Sequence, residues 1–87
     1  MITRDCTIRN KLGLHARPSA QVTQTAGRFQ SEVFLSRDGR RVNAKSIMGV
    51  MMLAAGPGSR LTVEASGIDE EQAVQALAEL IDGGFGE

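Results

Sequence analysis

Polar and apolar residues alternate from the start of the chain. Ile2, Cys6 and Ile8 share one parity while Thr3, Asp5, Thr7 and Arg9 share the other, which predicts a half-buried strand over residues 2–9. After Asn10-Lys11 and Gly13 the period changes. Ala16, Ala20, Val22 and Ala26 make a thin stripe of small side chains at helical spacing, with Gly27 as the C-cap. Proline lacks an N–H and clashes with the carbonyl four residues back, so Pro18 belongs to the first turn. That helix therefore begins about two residues before Pro18, with His15 at or next to the N-cap. Alternation returns over 29–37, with Phe29, Val33 and Leu35 on one face. Asp38-Gly39 then predicts a two-residue hairpin, and its return strand runs from Arg40 to about Ala44 with Val42 pointing inward.

Ser46 reads as the N-cap of a short helix through Leu53, and Ala54-Ala55-Gly56-Pro57-Gly58-Ser59 breaks it. Leu61, Val63 and Ala65 alternate with Thr62, Glu64 and Ser66 as the last strand. Asp69 with Gln72 forms a capping-box-like start, with Ile68 placed to staple back on Ala73. Ala73, Val74, Leu77, Leu80 and Ile81 give the cleanest amphipathic stripe in the chain. Gly83 ends that helix, and Gly84 to Glu87 is expected as a loose tail. The order β-α-β-β-α-β-α, with one wet face on each strand, predicts an α+β fold in a single domain over residues 1–87. Its architecture is an open-faced β-sandwich, a four-stranded, mainly antiparallel sheet covered on one face by three helices.

Composition narrows the function. Eighty-seven residues suffice for one modest core. Ten basic and ten acidic residues cancel, so no overall field draws the chain to nucleic acid or to an anionic membrane. With no Trp, no Tyr and three Phe, little is available for base stacking. The same counts argue against an RNA-binding domain, which the strand order could otherwise suggest. Cys6 has no partner for an internal disulfide and reads as a small core residue. One His and one Cys in separate elements make no metal-ligand set. No apolar run approaches a membrane span and no signal peptide opens the chain, which fits a cytoplasmic protein.

The candidate chemistry lies in Gly13-Leu14-His15-Ala16-Arg17-Pro18. A helix N-terminus offers free N–H groups and a partial positive charge to anions. Here the amides around Ala16 and Arg17 supply them, and the Arg17 guanidinium can clamp two oxygens of the same anion. A neutral imidazole beside that cradle is a nucleophile able to hold a phosphoryl group. The hexapeptide resembles the active-site signature of HPr, the histidine-containing phosphocarrier family of the bacterial sugar phosphotransferase system. A second family run follows at Asn43-Ala44-Lys45-Ser46-Ile47-Met48-Gly49-Val50-Met51. Length and element order fit as well, so the resemblance covers nearly the whole chain.

The resemblance implies that His15 accepts a phosphoryl group on Nδ1 from phosphorylated Enzyme I and passes it to enzyme IIA domains. Arg17 then stabilises the phosphate, no cofactor is needed, and the protein is a stoichiometric relay rather than an enzyme with its own small-molecule substrate. It also implies a monomer. Local pattern alone favours Ser46 as a plain helix cap, while the family run matches a regulatory serine phosphorylated by HPr kinase/phosphorylase. The helix after Ser46 is apolar on every side except at Gly49, so Ile47, Met48 and Met51 are expected at the surface as a partner-docking patch. Two alternatives remain: a nitrogen-branch regulatory paralogue, which Pro18-Ser19 and the Ser46 run disfavour, and a serine-phosphorylated corepressor or binding module.

Overall fold

The computed structural model describes residues 1–87. Strands β1 (Ile2–Thr7), β2 (Glu32–Arg37), β3 (Arg40–Asn43) and β4 (Arg60–Ser66) form one sheet in the order β1-β4-β2-β3, with every pairing antiparallel. Helices α1 (Ala16–Ala26), α2 (Ile47–Met51) and α3 (Glu70–Asp82) cover one face, and a single 3₁₀ turn, Gly84–Gly86, follows. The expected open-faced architecture and element order are therefore present.

The strand alternation has its physical counterpart in burial. Cys6, Val33, Leu35, Leu61, Val63 and Ala65 point under the helices and are buried. Their partners from α3 are Ala73, Val74, Leu77, Ala78 and Ile81, with Leu80 half-buried beside them. The opposite face carries polar side chains, where Thr62 donates to Asp5 at 2.8 Å. Phe34 lies on that wet face, and the Arg41 guanidinium covers it 3.7 Å from the ring centroid while pairing with Glu64. The hairpin expected at Asp38-Gly39 forms. Both residues take positive φ, 50° and 82°, as the two-residue turn that matches strand twist requires.

Several boundaries differ from expectation. The first strand stops at Thr7 rather than Arg9, because Ile8 turns to bond the loop before β4, its N–H donating to the Ser59 carbonyl at 2.8 Å. The second starts at Glu32, not Phe29, since residues 27–29 still bond back to the end of α1. Helix α2 ends at Met51: the Met52 N–H still makes an α-helical bond to the Met48 carbonyl at 3.0 Å, but Leu53 and Ala54 bond only three residues back, to Val50 and Met51. Arg40 and Arg37 of the hairpin donate to the carbonyls of Met52 (2.9 Å) and Leu53 (3.2 Å), supplying acceptor-end partners that the helix itself lacks.

The start of α3 departs more. Asp69 makes no side-chain cap bond; its carboxylate instead accepts from the N–H groups of Gln30 and Ser31, both at 2.9 Å, and from the Ser31 hydroxyl. Glu70, not Gln72, reaches back, accepting from the Gly67 N–H at 3.1 Å. Ile68 is 88% exposed, so no staple onto Ala73 forms. The tail is not loose either. Phe85 is only 3% exposed and, in the left-handed region (φ 58°), bends the final residues back over the core.

Candidate functional site

His15 is the N-cap of α1, with extended backbone and no side-chain cap bond. Its carbonyl accepts the first intrahelical bond, from the Ser19 N–H at 3.0 Å. The amides of Ala16 and Arg17 precede that bond and have no acceptor inside the helix, and Pro18 has no N–H to leave orphaned. The sequence reading of this helix start therefore holds. Arg17 is helical although a proline follows it.

Backbone hydrogen bonds place the approach to His15. Gly13 has φ 66°, its carbonyl accepts the His15 N–H at 2.9 Å, and the Leu14 N–H donates to the Ala55 carbonyl at 2.9 Å. The loop that ends α2 thus lies against the loop that presents His15. Leu14 is buried, which anchors the segment in the core, while the imidazole remains about one-third exposed.

A carboxylate from the far end of the chain meets the ring. The two oxygens of Glu87 lie 3.0 and 3.3 Å from His15 Nε2. Asn10 donates its side-chain amide to Glu87 Oε1 at 3.0 Å and to the Gly13 carbonyl at 2.8 Å. The Asn10 bond, then His15 and the Arg17 charge, hold the Glu87 carboxyl below the usual carboxylate range. Nδ1 of His15 makes no hydrogen bond to the protein. Arg17 is exposed and engaged in no ion pair or hydrogen bond, so its guanidinium is uncommitted.

Ser46 caps α2, its Oγ accepting from the Gly49 N–H at 3.2 Å, and it is exposed. Ile47, Met48 and Met51 are exposed at 41%, 72% and 43%, as expected, and Met52 joins them at 58%. Val50 and Leu53 turn inward instead. Helix α2 packs against α1, and its following loop against the His15 loop, so one side of the molecule carries the exposed apolar patch and the imidazole.

Sequence reasoning missed Asn10 and Glu87. The local pattern makes Asn10 loop and Glu87 tail; the available signal is Phe85, a large apolar residue whose burial ties down an otherwise glycine-rich end.

Over residues 2–83 the chain matches the family described as "PTS HPr component phosphorylation site". The chain belongs to the HPr family. It is 63% identical over 87 residues to phosphocarrier protein HPr of Cupriavidus necator, covering all of this chain and 98% of that protein. It is 50% identical to the HPr-like protein Crh of Bacillus subtilis over 78 residues, 90% of this chain and 92% of that one. Among solved structures, HPr-C-His from Thermoanaerobacter tengcongensis superposes with a TM-score of 0.95 at 47% identity, covering the whole chain and 98% of its counterpart. This HPr-family chain is thus a phosphocarrier-type protein of the phosphotransferase system, and its His15, Arg17 and Ser46 all lie within the matched span.

Proposed function

We propose that this chain relays a phosphoryl group from phosphorylated Enzyme I, charged by phosphoenolpyruvate, to a histidine on enzyme IIA domains, through phosphohistidine at His15. The observation that carries the reading is the placement of the only imidazole at the N-cap of α1, beside the free amides of Ala16 and Arg17 and the uncommitted Arg17 guanidinium. Positive charge from the helix terminus and Arg17 offsets the incoming phosphoryl oxygens. The exposed patch of Ile47, Met48, Met51 and Met52 supplies an apolar surface against which a donor or acceptor protein seats next to the ring. The protein acts as a cytoplasmic monomer, which gel filtration at 9.3 kDa checks for the assembly state.

Regulation through Ser46 is the second layer of this reading. Its support is the exposure of that hydroxyl at a helix start, and the likeness to Crh. An HPr kinase/phosphorylase would be the modifying partner.

Incubation with Enzyme I and labelled phosphoenolpyruvate tests the relay. Acid-labile, base-stable label on the wild type and none on His15→Ala is the expected result. The variant should fold normally, because the ring makes no cap bond that its loss would remove. Label retained on the folded variant would place the acceptor elsewhere.

A further inference from the structure

We infer that Asn10 is a positioning residue for phosphoryl transfer: through Glu87 it holds the proton of neutral His15 on Nε2, and so leaves Nδ1 as the nucleophilic nitrogen. The inference rests on the reading of His15 as acceptor, and its test lets the two fail separately.

The chain of donors and acceptors permits one arrangement. Asn10 is 4% exposed, and its amide faces two groups that can only accept, the Gly13 carbonyl and the Glu87 carboxylate. The NH₂ end must therefore point to the site. Its Oδ1 is then left buried with no partner in the protein, a cost the fold bears for holding the amide in that orientation. An ionised carboxylate likewise only accepts, and Glu87 is kept ionised by the bond from Asn10. The ring nitrogen facing it at 3.0 Å must be the donor. Neutral imidazole carries one N–H, so a proton on Nε2 leaves the lone pair on Nδ1.

The transfer step then balances. The Nδ1 lone pair forms the bond to phosphorus while the bond from phosphorus to the donor's nitrogen breaks, its pair staying on that nitrogen. The His15 ring keeps its Nε2 proton and carries a positive charge, which faces the Glu87 carboxylate. Passing the group onward reverses the step at a new acceptor nitrogen, and the ring returns to the same tautomer.

Nitrogen-15 NMR of the unphosphorylated protein, at a pH where the ring is neutral, reads the tautomer directly. Wild type should show a protonated Nε2 and a bare Nδ1. Asn10→Ala and Glu87→Ala should both move the shifts toward the mixture seen in a histidine model peptide, and slow His15 labelling several-fold without a matching rise in KM for Enzyme I. A peptide-like mixture in the wild type, or wild-type shifts in either variant, would overturn the inference. Should Asn10→Ala fail to fold, the similar-sized Asn10→Leu repeats the test, since it fills the buried site and removes the amide donor, and wild-type shifts there overturn the inference equally. Absence of any label on His15, with the nitrogen shifts as expected, would defeat the acceptor reading and leave the tautomer assignment standing.

Discussion

A methyl group placed on Gly13 would sit 2.2 Å from the carbonyl oxygen of Ala55 and 2.9 Å from Gly56 Cα. The loop bearing His15 and the loop ending α2 are thus in backbone contact, and only a residue without a side chain permits it. Gly13 also has φ 66°, where an L side chain is strained. Gly13→Ala is expected to destabilise the fold by roughly 2–4 kcal/mol, combining backbone strain with overpacking. It should also slow His15 labelling in the fraction that remains folded. Urea denaturation checks the first part; a midpoint equal to wild type would show that the two loops separate easily.

Asp69 ties the start of α3 to the segment before β2. The Ser31 hydroxyl first, and the Gln30 amide next, hold its carboxyl below the ordinary Asp value. A depressed folded-state value contributes stability that is fully present above the unfolded value, about 3.9. That stability is lost as pH falls through the lower, folded value. Asp69→Asn should therefore lower stability at neutral pH and flatten its acid dependence, whereas wild type weakens below about pH 4. Urea midpoints taken from pH 7 to pH 2.5 test this, and parallel curves for the two proteins would contradict it.

Ser46→Asp should separate the cap from the docking surface. A phosphate at Ser46 adds roughly −1.5 to −2 charges at pH 7. The free amides at the start of α2 receive a negative charge favourably, so thermal stability should stay level or rise. The same charge borders Ile47, Met48 and Met51, where it must be desolvated or repelled when a protein partner seats. The rate of His15 labelling should fall, and the loss should shrink as protein concentration rises. Easy unfolding of the variant, or unchanged association with Enzyme I, would leave Ser46 as a cap and nothing more.

How legible the molecule was depends on the distance over which each residue acts. Asp38-Gly39 was readable because one turn type imposes positive φ on both positions, and those residues adopt it at low cost. Ser46 and Pro18 were readable for the same reason, since each acts within three residues of itself. Strand parity was enough to place Cys6, Val33, Leu35, Leu61 and Val63 in the core. Asp69 misled because its local option, capping α3, lost to donors 38 and 39 residues away in Ser31 and Gln30. Glu87 reaches His15 across 72 residues, a contact that no local pattern encodes. The site was thus half visible: the imidazole, Arg17 and the helix start from the motif, the carboxylate and Asn10 only from the fold.

The exposed face around α2 has a chemical consequence of its own. Met48 and Met51 of α2 and Met52 at its C-cap are thioethers, unbranched and adaptable in shape. Thioethers are also what mild oxidants attack. Conversion to the sulfoxide would make this surface polar while Val50 and Leu53, buried beneath it, keep the helix seated. On the proposed relay, an oxidised molecule that keeps His15 intact would lose the apolar surface on which its partners are proposed to seat.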